Sequence, residues 1–263
     1  MQLNSSDNIE KNLTHIQDLL SSSGQQIDLL VLPENATLMT QDKAYQHHAA
    51  QPKTYHKIFS FFQSLAKQYQ CWLIAGSLRI QDPQIPAKHL NHCPVFSPQG
   101  QLICGYDKIH LFDADLGSES WHESQSINAG KTPQTVALSE DWKVGLSICY
   151  DLRFPELYRQ YSALNCNIFT IPAAFTVPTG KAHWDILLKA RAIENQAYVL
   201  AAGQVGHHAD GRTTFGHSKI INPWGETLAE LQKGEGVISA KLDLAELHHL
   251  KKHMPVLQHR REL

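Results

Sequence analysis

The feature that most constrains the fold is a rhythm: short apolar runs, each closed by polar or turn residues, alternate along the chain with stretches of helical spacing. "DLLVLPE" (28–34), "CWLIAGS" (71–77), "KVGLSIC" (143–149), "CNIFTIPAA" (166–174) and "AYVLAAGQ" (197–204) have the length and bounds of buried strands. Residues 8–22, 55–69, 155–164 and 181–196 carry amphipathic helical spacing between them. Two further segments read as hairpins, 93–108 turning at "PQG" and 217–231 turning at "NPWGE". Crossovers mixed with hairpins predict mixed sheets covered by helices, with two sheets stacked as a sandwich. No repeat, long linker or low-complexity stretch divides residues 1–263, so one domain is expected, with 244–263 as a C-terminal helix and tail.

Composition narrows the function classes. Charged residues are 18% of the chain and the formal net charge is −2, which argues against a general nucleic-acid binder or a disordered chain. The opening "MQLNSSDNIEKNLTHIQDLL" lacks the apolar core of a secretory leader, and no run approaches a membrane span; a cytoplasmic protein is expected. The five cysteines (71, 93, 104, 149, 166) are odd in number and show no CxxC spacing, which suits a reducing compartment.

One of these cysteines stands apart. "KVGLSIC" ends an expected strand at Cys149, and "FPELYRQYSALN" opens a helix with Pro155 in its first turn. A strand-to-helix junction exposes its residue at the sheet edge and offers backbone N–H donors, a setting that can lower a thiol's pKa and hold an oxyanion. The plain alternative, a small buried residue, suits Cys71, Cys104 and Cys166. Glu34 follows the apolar run of "LLVLPEN", where a carboxylate is costly unless paired or used. Lys108, in "GYDKIHLFDAD", closes the first hairpin. A thiol, a carboxylate that can move its proton and an ammonium that can hold negative charge make a complete set for acyl transfer.

The segments "LPEN", "YDKIHLFD" and "ICYDLRFPELYR", in that order, resemble the three signature segments of the nitrilase, or carbon–nitrogen hydrolase, superfamily. "WHES", "AHWDILLKARAIENQAYVLAA" and "GHSKIINPWGE" extend the likeness over nearly the whole chain. The resemblance implies a four-layer α-β-β-α sandwich, an α/β fold, and a triad of Glu34, Lys108 and Cys149. It also implies Glu123 as a second active-site glutamate that holds Lys108, and the Tyr150 backbone N–H as an oxyanion donor. Within the superfamily, "GQVGHHADGRTTFGHSKIINPWGE" and "LKKHMPVLQHRREL" resemble the deaminated-glutathione amidases of the Nit branch more than the ω-amidases. The implied reaction is hydrolysis of deaminated glutathione to 2-oxoglutarate and cysteinylglycine through a thioester. An ω-amidase acting on 2-oxoglutaramate is the alternative.

Such substrates carry carboxylates, so a cation near the thiol is expected. Arg153 is the first candidate, against a salt bridge to Glu156 or Asp151; Thr179 and His183, in "VPTGKAHW", are further substrate-binding candidates. The adjacent histidine pairs 47–48, 207–208 and 248–249 lack the i, i+4 spacing of a helical metal site, so neither metal nor cofactor is expected. The basic ending reads as a tail packed on a neighbouring subunit, in a homodimer or larger assembly. Relatives begin with a strand before the position matched by "MQLNSSD"; either the true start lies upstream or a sheet edge is left unpaired. Two rival classes stand beside this reading: a papain-like Cys–His enzyme using His110 or His183, and a non-catalytic binding protein on the same fold.

Overall fold

The computed structural model describes residues 1–115 and 120–261. Two sheets form its centre. The first contains β1 (Leu29–Val31), β2 (Trp72–Ile74), β3 (Leu78–Gln81), β4 (His89–Phe96) and β5 (Leu102–Asp107). β1 runs parallel to β2, while the long β4 pairs antiparallel with β2 and β3 on one edge and β5 on the other. A hairpin of β6 (Asp113–Asp115) and β7 (Ser120–His122) leads out of it. The second sheet has β8 (Thr135–Ala137), β9 (Lys143–Leu146), β10 (Ile168–Ala173) and β11 (Tyr198–Gly203). A ribbon of β12 (Val205–His207) and β13 (Thr213–Phe215) leads to its last two strands, β14 (Ser218–Ile221) and β15 (Thr227–Leu231). Their order across this sheet is β15-β14-β11-β10-β9-β8.

The alternation of side chains along β1 and β2 shows why the sheets stack. Leu30, Leu32, Leu73 and Ala75 join a core with α1 (Ile9–Ser23) and, beyond α2 (Lys43–Ala50), α3 (Pro52–Tyr69); Val31 and Ile74, pointing the other way, join the core of the second sheet. On the far side of that sheet lies α4 (Pro155–Ala163). After it come the short α5 (Val177–Thr179), a π-helical turn Gly180–Trp184 and α6 (Asp185–Asn195). Tyr158, Tyr161, Leu188 and Ala192 from α4 and α6 pack in the same core as Phe169 and Ile171 of β10. The layers are therefore helix, sheet, sheet, helix.

Local chemistry marks the helix ends. Asn8 caps α1 by accepting from Lys11 N–H at 2.9 Å, Gly24 closes it at φ 61°, and Pro155 opens α4. The last helix, α7 (Leu244–His253), buries Leu247 against its own chain, and Gln196 Nε2 holds Met254 O at 2.7 Å. The tail's final two residues, 262 and 263, lie outside the described residues.

The first residues take part in the sandwich. Gln2 bridges antiparallel to Gly236 and Leu3 parallel to Gln204. The Met1 ammonium donates to Val31 O at 3.0 Å, and burial lowers its pKa to about 5. Beside it, β1 offers its second edge to a cavity of about 330 Å³ lined by Leu29, Trp142, Leu200, Ile220, Val237 and Leu242, among others.

Candidate active site

Three of the expected groups, with one backbone amide that the sequence did not single out, converge although they lie far apart in sequence. Glu34 follows β1, Lys108 follows β5, Cys149 follows β9, and the backbone of Ala174 follows β10, each just past the carboxyl end of its strand. Lys108 Nζ donates to Glu34 Oε1 at 3.0 Å and to Glu123 Oε2 at 2.8 Å. Lys108, Glu34 and Cys149 are only 2%, 4% and 9% exposed, so the charges of Lys108 and Glu34 act almost without solvent screening.

Each carboxylate is positioned by neutral donors as well. Asn91 Nδ2 donates to Glu34 Oε1 at 2.9 Å and to Glu123 Oε1 at 3.1 Å. Ala174 N–H donates to Glu34 Oε2 at 3.0 Å, and Phe112 N–H to Glu123 Oε2 at 2.8 Å. Burial works to raise the Glu123 carboxyl, but Lys108 and these donors outweigh it and hold Glu123 below its ordinary range. For Lys108, burial opposes the charge; Glu123, Glu34 and Cys149 together drive its pKa well above the usual value.

Cys149 departs from the sequence expectation in two ways. The strand β9 stops at Leu146, and a 3₁₀ turn over Cys149–Arg153 separates it from α4, so the thiol sits at the start of a tight turn rather than on the α-helix itself. Its backbone is left-handed at φ 50°, a sparsely populated conformation for a side-chain-bearing residue. Burial, with Glu34 adding to it and Lys108 opposing, pushes the thiol well above its ordinary pKa instead of lowering it. The surroundings of Cys149 thus favour the thiol over the thiolate. Tyr150 occupies the second position of the turn, where the N–H has no partner within the helix.

Asp151, weighed in the sequence only as a partner of Arg153, is fully buried and serves another purpose. It accepts from Ile148 N–H at 2.8 Å, Tyr106 Oη at 2.7 Å, His110 N–H at 2.9 Å and His110 Nδ1 at 2.8 Å. One carboxylate thus ties the segment carrying Lys108 to the turn carrying Cys149. Its signal in "SICYDL" was an acid inside an apolar stretch, costly unless satisfied. Asn91 gave less signal, because an amide on an alternating strand reads as surface.

The remaining candidates divide. Arg153 Nη1 and His183 Nδ1 are 3.2 Å apart, and the guanidinium lies over the rings of Tyr150 and Phe175 at 5.6 and 5.5 Å. Thr179 is buried, and its hydroxyl pairs with Thr176 Oγ1 at 2.8 Å. His110, stacked on Phe154 at 3.6 Å, is committed to Asp151. Among the described residues, no three His, Cys, Asp or Glu side chains gather as a metal site, and no helix is long and apolar enough to cross a membrane.

Residues 1–252 match the carbon–nitrogen hydrolase family. A Yersinia enterocolitica protein named deaminated glutathione amidase is 36% identical over 99% of this chain and 91% of its own length. A human protein of the same name is 37% identical over 89% of this chain and 72% of its own. The crystal structure of the C. elegans NitFhit protein superposes with a TM-score of 0.88 at 34% identity, covering 99% of this chain and 63% of that one. Saccharomyces cerevisiae Nit3, described as a member of branch 10 of the nitrilase superfamily, gives 0.86 at 29% identity over 99% and 94%.

Proposed function

Because this chain belongs to the carbon–nitrogen hydrolase family, we propose that it is a cysteine-dependent amidase whose substrate is deaminated glutathione, with Glu34, Lys108 and Cys149 as its triad. The observation that carries the reading is the Lys108 ammonium held between Glu34 and Glu123 at 3.0 and 2.8 Å, beside the buried Cys149. Glu34 accepts the thiol proton as Sγ attacks the amide carbonyl. The tetrahedral oxyanion is held by Lys108 and the Tyr150 N–H, groups already fixed before the reaction. Collapse breaks the C–N bond, Glu34 returns the proton to the leaving nitrogen, and a thioester remains on Cys149. Water then attacks with Glu34 as base and Glu123 assisting, releasing the acid and restoring the thiol.

For deaminated glutathione the products are cysteinylglycine and 2-oxoglutarate. Arg153, with His183 beside it, is our candidate for the carboxylate of the 2-oxo acid, and Thr179 a support of that loop. The names carried by relatives such as those of Yersinia enterocolitica and human support this choice of amide. No cofactor takes part in this scheme. A cytoplasmic homodimer or larger assembly, one domain per chain with 244–263 at the interface, completes the reading. Exposed Ile186 and Ile193 on α6 and Trp224 in the β14–β15 turn are apolar surface suited to a subunit contact.

The test is hydrolysis of deaminated glutathione beside 2-oxoglutaramate, following 2-oxoglutarate from both, with Cys149→Ala as the blank. A kcat/KM preference for the deaminated tripeptide of at least about tenfold supports the proposal. Preference for 2-oxoglutaramate makes the protein an ω-amidase, and no turnover of either removes the substrate assignment.

A further inference from the structure

The rim of the site carries a row of rings with a cation at each end. The Arg212 guanidinium lies 5.9 Å from the Trp121 ring centre, Trp121 6.1 Å from Phe112, Phe112 5.0 Å from Tyr150, and Tyr150 5.6 Å from Arg153. This row passes the reacting groups, because Phe112 N–H holds Glu123 and Tyr150 follows Cys149. The Arg153 end is the acyl-side anchor proposed above. The Arg212 end is unassigned.

At that end two guanidiniums and two unpartnered nitrogens gather, and Asp210 is the one carboxylate hydrogen-bonded to either arginine among the described residues. Asp210 fixes Arg212 through Nε at 2.7 Å and through Nη2. Arg79 stands opposite Asn91 in the β3–β4 register, hence on the same sheet face as the amide that holds Glu34 and Glu123. Its one hydrogen bond among the described residues runs from Nη1 to Ser126 Oγ at 3.3 Å. Among the described residues the Trp121 indole N–H and the His89 Nδ1 are buried without partners, and His89 is 7% exposed. Burial first, then Arg79 and His47, lower the His89 pKa to about 4, so this ring adds no third charge. Arg79 and Arg212 line one small cavity, and burial and Arg212 weigh against the Arg79 charge more than Glu123 and Glu34 support it, so a further acceptor would be favoured there. A carboxylate is the planar acceptor that fits such a set.

We infer that Arg79 and Arg212, with the Trp121 indole N–H, form a subsite for a second carboxylate, carried by the leaving-amine half of the substrate. The inference rests on the amidase reading and deepens it. On this inference an amide with a carboxylate at each end directs one toward Arg153 and the other toward Arg212, whereas 2-oxoglutaramate, whose leaving group is ammonia, has nothing to place at the second. These arginines thus select for a dipeptide-like leaving group over ammonia.

The experiment compares deaminated glutathione with its analogue in which the glycine carboxylate is a carboxamide, on the wild type, Arg79→Met, Arg212→Met and Arg212→Lys. Both substrates break the same bond and are read on the same preparation, so any loss of folded enzyme cancels from their ratio. The wild type is expected to favour the acid by at least about tenfold in kcat/KM, mostly through KM, with the ratio falling toward 1 in both Met variants and partly kept in Arg212→Lys. A wild-type ratio near 1, or a ratio unchanged in both Met variants, overturns the subsite. If the wild type hydrolyses neither substrate, the function reading fails and the subsite is judged by alkylation of Cys149, in which Sγ displaces bromide from N-bromoacetyl-alanylglycine or its carboxamide. Faster labelling by the acid, lost in Arg212→Met, sustains the subsite, and equal rates in the wild type sink it.

Discussion

Cys149 is held in a left-handed backbone and burial raises its pKa, so on the proposed mechanism its nucleophilicity is generated by Glu34 within the bound complex. In the free protein, iodoacetamide labelling of Cys149 should keep rising with pH beyond about 8.5, since its acid form is favoured by burial; an inflection below 7 would contradict this. Glu34→Gln should lower kcat by at least about 10²-fold, and His110→Asn should not reproduce that loss through proton transfer. Near-normal activity in Glu34→Gln would return the papain-like reading. Lys108→Met should cost about 10²–10³ in kcat. It also leaves two buried carboxylates without their cation, so folding should then favour a protonated carboxyl. The sign follows: the lowered Glu123 pKa gives the wild type stability that is lost as pH falls through its folded value, whereas Lys108→Met should gain Tm as pH is lowered from 8 to 5. Parallel Tm–pH profiles for the two proteins would refute the assignment of Lys108 as the compensating charge.

Between the residues and the whole, two joints set the geometry. At Gly76, φ is +65° and an added Cβ would stand 2.0 Å from Pro33 O, in the turn that carries Glu34. Ser77 Oγ also accepts from Asn35 N–H at 3.1 Å, so this loop and the Glu34 turn are built as one piece. Gly76→Ala should destabilise the fold by more than about 2 kcal/mol and impair activity beyond the loss of folded protein, measured by denaturant melts and by kcat per folded molecule. Asp151→Asn turns an all-acceptor carboxylate into an amide facing four donors. A loss of about 3 kcal/mol with a lowered kcat is expected, and a variant as stable as the wild type would show the latch to be dispensable. The same contrast explains what was legible in advance. The five apolar runs, the helices of α1, α3, α4 and α6 and both hairpins carried strong periodic or turn signals, and all appear. The strands β3, β6, β7, β8, β12 and β13 are short and half-exposed, and α2 is brief and weakly amphipathic, so pattern alone does not distinguish them from loop. In "KVGLSIC" the apolar run outlasted the strand because Ser147, Ile148 and Cys149 stay buried past Leu146, with Ser147 N–H still bonded to Thr170 O of β10 at 3.2 Å.

At the scale of the molecule, the proposed triad was legible because its residue types sit at interruptions of apolar runs, but its supports were not. Asn91, Asp151 and the Ala174 N–H matter through contacts across sequence separations of 57, 41 and 140 residues, which no local pattern records. Those separations have a kinetic meaning. Helices and hairpins form from near neighbours, while closing loops of this length comes late and slowly. The Asp151 carboxylate, bridging the first sheet's Tyr106 to the second sheet's outgoing turn, is satisfied only once the two halves have docked. During refolding, far-UV signal should therefore return before catalysis, and turnover should reappear together with near-UV asymmetry. In a cell, a chain leaving the ribosome would then carry most of its helices while still unable to turn over an amide, because the proposed acid, base and thiol meet only when these long loops close.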